Sequence, residues 1–274
     1  MSLYCFSNNQ IKPISEAGVP VTDLLVQRGY GIFDFLRVAN NKPLFIEDHL
    51  DRFFHSASVM RLHIPQTREE VKQIVNTLIQ KNQLPYSGMR LLIAGGDAPD
   101  GYTIEHPHLI IIQAPLAEPT AQLPTTGIKL ATYNYQRQIP EVKTTDYLMA
   151  IWLQPWMKQQ GADDILYHHN GVVSECPRSN FFLVTKDNVL VTAAKNMLKG
   201  VTRKNILTVC ADNQIQFEER DVNITEFSTA KEAFITSSTK RIIPVHQIDD
   251  TLLKPNYQDS FAKKIYDLLL VLEQ

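Results

Sequence analysis

The segment Ile32-Phe33-Asp34-Phe35-Leu36-Arg37-Val38 follows a short opening strand and itself reads as a strand. Asn40-Asn41 then supplies residues that tolerate a chain reversal. From Glu47 the spacing becomes helical: Leu50, Phe53, Phe54, Ala57 and Met60 fall on one face, while Asp48, Asp51, Arg52 and Arg61 mark the other. A second helix is predicted over 68–82, with Val71, Ile74, Val75 and Leu78 as its apolar stripe. Strands return over 89–94 and 109–113. Between Ala114 and Gly127 periodicity gives way to a Pro-, Thr- and Ala-rich stretch whose prolines obstruct helix and central strand alike.

That stretch predicts a domain boundary: a small N-terminal α/β domain over 1–114, a linker over 115–127, and a larger, β-rich C-terminal domain over 128–274. Beyond it the pattern predicts a strand near 128–133, a helix from about Asp146, and a hairpin turned at Asn170-Gly171, where positive φ is tolerated. A second reversal is expected at Asp187-Asn188. A helix from Arg203, a strand over 233–236 and an amphipathic helix over 260–272 complete the reading.

Composition narrows the classes. With 44% hydrophobic residues, 20% charged residues and a formal net charge of -2, the chain is expected to be globular and to have no nucleic-acid partner. The start MSLYCFSNNQ lacks a basic segment followed by an apolar run, and no apolar stretch approaches the roughly 20 residues that span a bilayer. A cytoplasmic protein without a membrane partner is expected. Cys5, Cys176 and Cys210 are odd in number and lie far apart, which suits buried free thiols rather than a disulfide framework. His106-Pro107-His108 and His168-His169 lack carboxylate or cysteine partners at ligand spacing, so no metal site is expected. There is no Gly-x-Ser-x-Gly elbow, no P-loop and no Gly-x-Gly-x-x-Gly after a strand.

The most informative region runs from Glu175 to Arg203. It holds Glu175, Asn180-Phe181-Phe182, Leu190-Val191-Thr192 and Leu198-Lys199-Gly200-Val201-Thr202-Arg203. This succession resembles the signature of the class IV aminotransferases. Lys143, in Val142-Lys143-Thr144-Thr145-Asp146-Tyr147, stands 32 residues before Glu175, matching the family's cofactor-holding lysine. The resemblance extends from Arg28-Gly29-Tyr30-Gly31 through His49-x-x-Arg52 to Thr236-Ser237-Ser238-Thr239 and Ile243-Pro244-Val245. The chain departs from the pattern at Pro177, at Asp146 where relatives carry Asn, at Arg241 where they often carry Glu, and in a shortened Tyr30-Gly31 segment. Arg241 and Tyr30-Gly31 are expected near the substrate side.

The resemblance implies an α+β, fold type IV enzyme: two α/β domains with pyridoxal 5'-phosphate (PLP) in the cleft between them, assembled as a homodimer. It implies that Lys143 binds the cofactor covalently and then moves protons, and that Glu175 stabilises a protonated ring nitrogen. Gly200, Val201 and Thr202 would offer backbone N–H groups to the phosphate at a helix N-terminus, with Ser237, Ser238 and Arg52 as further donors. Tyr147, four residues after Lys143, shares its face if the segment is helical. Tyr30, Phe33, Arg37 and Arg90 are the expected substrate residues, with Thr239 presenting its backbone N–H to the α-carboxylate.

The expected substrates are amino acids and 2-oxo acids. The expected activity is transfer of an amino group from a branched-chain or other apolar amino acid to 2-oxoglutarate. Aminodeoxychorismate lyase and D-amino-acid aminotransferase use the same cofactor residues and stand as alternatives. A PLP-free binding relative is disfavoured by the presence of both Lys143 and Glu175.

Overall fold

The computed structural model describes residues 3–253, 257 and 259–273. The chain forms two compact units, one made of Met1–Glu118 and Val142–Asp146, the other of Pro119–Glu141 and Tyr147–Gln274. The sequence reading ran the second domain unbroken from residue 128. The short return of 142–146 to the first unit carries no periodicity that would announce it.

The first unit is built on a six-stranded antiparallel sheet in the order β2-β1-β6-β5-β3-β4. Its strands are β1 (Tyr4–Ser7), β2 (Gln10–Pro13), β3 (Gly31–Ala39), β4 (Lys42–Pro43), β5 (Ser87–Ala94) and β6 (His108–Pro115). Asn40 and Asn41 both take positive φ, 51° and 61°, which closes the β3–β4 hairpin in two residues. A short helix, α1 (Leu24–Arg28), precedes β3. Helix α2 (Ile46–Val59) packs on β3, and α3 (Arg68–Asn82) packs on β1 and β6. Thr67 and Glu70 form a reciprocal capping box that starts α3, and Val71, Val75, Leu78 and Ile79 are its buried face.

The second unit holds a ten-stranded mixed sheet, ordered β13-β12-β11-β14-β15-β7-β8-β9, with β10 on β11 and β16 on β15. The strands are β7 (Ile128–Asn134), β8 (Asp164–His169), β9 (Val172–Val173), β10 (Glu175–Cys176), β11 (Ser179–Val184), β12 (Leu190–Thr192), β13 (Phe217–Glu219), β14 (Glu232–Ser237), β15 (Arg241–Ile248) and β16 (Thr251–Leu252). Asn170 and Gly171, at φ 50° and 86°, make the β8–β9 turn. Helices α4 (Leu148–Trp152) and α5 (Gln154–Gln159) lie between β7 and β8, while α6 (Val201–Asp212) and α7 (Phe261–Leu272) follow later. Strand β11 is buried along its whole length because both of its faces meet core. Phe181 and Leu183 join Leu130, Leu166 and Val245 on one side; Phe182 and Val184 join Ile206, Phe234 and Ile265 on the other.

Arg241, expected near the substrate side, is engaged within the second unit by an ion pair. Its guanidinium bonds Glu273 Oε2 at 2.9 and 2.8 Å and reaches the Pro119 and Thr120 carbonyls at 3.2 and 2.8 Å. Both side chains are nearly buried, at 9% and 7% exposure. The arginine thus ties the start of the unit to the end of α7, which explains why a residue at φ 56° is a long, charged one. Cys5, Cys176 and Cys210 are buried free thiols, and burial pushes Cys176 well above its ordinary pKa. No helix among the described residues is long and apolar enough to cross a membrane, and no group of three or more potential metal ligands is gathered among them.

Arg241→Ala removes both bonds to Glu273 and those to the Pro119 and Thr120 carbonyls, a loss of about 3 kcal/mol or more for a largely buried pair. Urea unfolding should show this as a lowered midpoint, and an unchanged midpoint would show the lock to be energetically idle.

Candidate active site

Lys143 is positioned by backbone pairing to β3. The Phe33 N–H donates to the Lys143 carbonyl at 2.9 Å and the Thr145 N–H to the Gly31 carbonyl at 3.0 Å, with Ile32 and Thr144 as bridge partners. The Thr145 hydroxyl adds a 2.6 Å bond to the Gly29 carbonyl. Lys143 Nζ lies 4.6 Å from the centroid of the Phe33 ring, and Arg90 Cζ lies 5.4 Å from the same centroid. Phe33, Phe35 and Arg37 share one face of β3 because strand side chains alternate, and Arg90 is the cross-strand partner of Phe35 on β5. Gly88 makes room on that face: a Cβ there would sit 2.2 Å from Phe35 Cζ. Tyr30 donates its hydroxyl to the Met60 carbonyl at 2.8 Å.

The opposite face of β3 carries Ile32, Asp34, Leu36 and Val38 into the core. Asp34 has no exposure, and a buried carboxylate needs compensation. Arg52 Nε and Nη2 donate to its two oxygens at 2.8 Å each. His49 Nδ1 lies 2.6 Å from Asp34 Oδ1. An ionised carboxylate only accepts, so this ring nitrogen carries the proton. Burial by itself would push the Asp34 carboxyl up, but the Arg52 charge, with His49 and the hydrogen bonds of both, holds it well below the usual carboxylate range. Burial pushes His49 down; Asp34 opposes that, while Arg52 and Lys143 reinforce it.

In the second unit, Glu175, Asn180 and Thr236 lie side by side across β10, β11 and β14. Arg137 Nε and Nη2 hold Glu175 Oε1 at 2.8 and 2.6 Å. Leu198 is gripped at both backbone polar groups: its N–H donates to Glu175 Oε2 at 3.1 Å, and its carbonyl accepts from Asn180 Nδ2 at 2.7 Å. Two residues on, Gly200 is the N-cap of α6, and no side chain caps the helix. The N–H groups of its first turn therefore point outward at the positive end of the helix dipole. Gly200 has an ordinary φ of −65°, and its need for glycine is steric: a Cβ would fall 2.1 Å from Asn180 Oδ1. The turn after Thr236 carries Ser237 and Ser238, partly exposed, and Thr239, exposed, with the Ser237 and Thr239 hydroxyls 3.4 Å apart.

Each unit thus brings together its own set of the residues read from sequence. Lys143, Phe33, Arg37, Arg90 and Arg52 stand around β3; Glu175, Gly200, Val201 and Thr202 stand around Asn180, with Ser237 to Thr239 at the end of the neighbouring strand. Two readings need correction. The helix expected from about Asp146 starts at Leu148, and 143–146 is extended or bent, so the helical spacing that related Tyr147 to Lys143 is absent. Arg52, assigned by its helical position to the polar side, is only 11% exposed because Asp34 draws it inward. Sequence reasoning also missed Asp34, the pairing of His49 with it, and Arg137. Asp34 carried a signal, as the one acid on the apolar face of its strand, and His49-x-x-Arg52 presents its partners one helical turn apart. Arg137 lies in an irregular stretch with no periodic signal.

The family model of class IV amino-transferases matches residues 31–248, most of the chain. The chain belongs to the class IV aminotransferases. This aminotransferase is 27% identical to the D-alanine aminotransferase of Bacillus licheniformis over 268 residues, covering 96% of this chain and 94% of that protein. It is 30% identical over 261 residues to branched-chain-amino-acid aminotransferase-like protein 2 of Arabidopsis thaliana, covering 92% of this chain and 47% of that protein. The fold is that of the branched-chain amino acid aminotransferase from Escherichia coli, with a TM-score of 0.87, 23% identity, and coverage of 100% of this chain and 95% of that one.

The buried cluster of this aminotransferase contributes to its acid stability. A depressed His49 resists a proton that an unfolded histidine accepts, so stability falls as pH drops below about 6.5. A depressed Asp34 adds a second loss below about pH 4, where unfolded aspartate protonates first. Asp34→Asn removes the buried charge that Arg52 and His49 bond, at a cost of about 3–5 kcal/mol at neutral pH, and flattens the loss below pH 4. Denaturant midpoints across pH check both; an unaltered acid limb in Asp34→Asn would remove Asp34 from this role.

Proposed function

We propose that this class IV aminotransferase binds pyridoxal 5'-phosphate and moves the amino group of an apolar, branched-chain amino acid to 2-oxoglutarate. The observation that carries the substrate reading is the single face of β3 and β5, where Phe33 and Phe35 alternate with Arg37 and Arg90 beside the Lys143 amine. A transaminase accepts an apolar and an acidic substrate in turn, and that face carries ring surface suited to one and guanidinium groups, exposed at Arg90 and buried at Arg37, suited to the other.

The donor set suits the cofactor. A primary amine suits its carbonyl, a carboxylate suits its ring nitrogen, and an uncapped helix N-terminus with neighbouring hydroxyls suits its phosphate. When bound, the group supplies a conjugated ring that takes up the electron pair left when a proton leaves the substrate α-carbon. Lys143 would hold the group covalently until the substrate amine takes its place at that carbon, and its freed Nζ would then carry the proton. Glu175, itself held by Arg137 and the Leu198 N–H, keeps a proton on the ring nitrogen through its charge. Gly200, Val201 and Thr202 bind phosphate by backbone N–H, and Ser237, Ser238 and Arg52 add side-chain donors. Tyr30 and Phe33 wall the apolar side chain, and Thr239 gives its N–H to the α-carboxylate.

A D-amino-acid donor is the second reading, favoured by the likeness to a D-alanine aminotransferase along 96% of the chain. The deciding experiment assays leucine, isoleucine, valine and D-alanine with 2-oxoglutarate, and in parallel tests for 4-aminobenzoate and pyruvate from aminodeoxychorismate. Glutamate formation is expected to be fastest with the branched-chain donors; D-alanine alone as donor selects the second reading. Cleavage of aminodeoxychorismate without glutamate from any donor would falsify both. Borohydride reduction and peptide mapping should place the pyridoxyl group on Lys143, and a label elsewhere overturns its role. Arg90→Ala, at an exposed position, should raise KM for 2-oxoglutarate at least tenfold and change that for the apolar donor little, since a charge-assisted bond is worth about 1.5–3 kcal/mol. Equal KM shifts for both substrates would remove Arg90 from acceptor recognition.

A further inference from the structure

Asn180 is a buried side chain, 6% exposed, whose two amide atoms do different things. Nδ2 donates to the Leu198 carbonyl at 2.7 Å. A carbonyl can only accept, so this contact fixes which end of the amide faces Leu198. Oδ1 then fills the space beside Gly200 that a Cβ would need. The residue that Asn180 grips by its carbonyl is the one that Glu175 grips by its N–H. Leu198 is therefore pinned from both sides two residues before the N-cap of α6, and the helix N-terminus can approach β11 as closely as a glycine allows. Glu175 and Asn180 are also direct register partners, so the two grips start from neighbouring points of one sheet.

From this geometry we infer that Asn180 is a positioning residue: it sets the first turn of α6 at a fixed distance from Glu175, matching the phosphate donors to the ring-nitrogen carboxylate. The inference rests on the cofactor reading above and assigns Asn180 no contact with substrate or cofactor. Its consequence is specific. Removing the amide releases the Leu198 carbonyl and opens a gap beside Gly200, so the turn loses its seat while Glu175 keeps Arg137 and the Leu198 N–H. The phosphate part of ligand recognition suffers, and the ring part does not.

The test compares two non-aldehyde probes, pyridoxine 5'-phosphate and pyridoxine, which differ by the phosphate and form no covalent bond to Lys143. Calorimetric titration gives the ratio of their dissociation constants for the wild-type protein, for Asn180→Ala and for Asn180→Ser. Both variants are neutral, so neither repels phosphate by charge. The expected result is at least a tenfold fall in the preference for the phosphorylated probe, with pyridoxine affinity within about twofold of wild type. A role in stability alone lowers the unfolding midpoint and leaves the ratio untouched. Retention of the wild-type ratio in either folded variant overturns the inference.

If neither variant folds, Gly200→Ala tests the same seat from the other side. Its Cβ forces the turn off Asn180, and the same loss of preference is expected, while an unchanged ratio again overturns the inference. A wild-type protein with no preference for the phosphorylated probe would instead reject the cofactor reading, which keeps the two failures distinguishable.

Discussion

A β-strand can send successive side chains only to opposite faces, and in the first unit that constraint organises everything else. Strand β3 uses one face to bury Ile32, Leu36 and Val38 and turns Phe33 and Phe35, half-buried, and Arg37, buried, to the other. A one-residue slip would exchange the two sets. The register is secured on one side by β5 and on the other by the short pairing with 143–145, which also brings Lys143 to the face of Phe33. Asp34 is the exception that the alternation forces into the core. The cost of burying its charge is offset by Arg52 and His49 from α2, so the helix is attached to the strand by electrostatics as well as by apolar packing.

The second unit solves a different problem, that of holding an open helix end in place. A helix N-terminus with no cap has unsatisfied donors and no intrinsic reason to stay where it is. Here its location is imposed from the preceding residues, through Leu198 and the missing Cβ of Gly200, rather than from within the helix. The donors of the first turn are spared from structural duty. Arg137 plays the matching part for Glu175, fixing a carboxylate that sits almost entirely out of water.

Much of this was legible in the sequence wherever a period or a turn residue decided the outcome. The helix over 68–82 has the predicted bounds, β3 extends the predicted strand by one residue at each end, and the Asn40-Asn41 and Asn170-Gly171 reversals fall where positive φ is easily adopted. The signature around Glu175 and Asn180 pointed to the family that the comparison assigns. What escaped was set by partners distant in sequence. Arg52 was read as a phosphate donor on the polar side of its helix and Arg241 as a substrate-side charge; no local pattern announces the carboxylates that hold them, 18 and 32 residues away. The pairing of 143–145 with β3 joins positions more than a hundred residues apart, and an irregular segment gives no local sign of such a partner.

The return of 142–146 to the first unit has a consequence for how the chain comes into being. A nascent polypeptide emerges from its N-terminus, and domains generally fold as they are completed. This one cannot be completed when residue 118 appears: the rung beside β3 belongs to a segment synthesised after the first portion of the other unit, Pro119–Glu141, has already emerged. Until then that edge of the strand stands open, with the Phe33 N–H and the Gly31 carbonyl lacking their eventual partners. For the same reason no single cut separates the two units into intact halves. A fragment ending at the apparent boundary would keep the strand and lose the lysine.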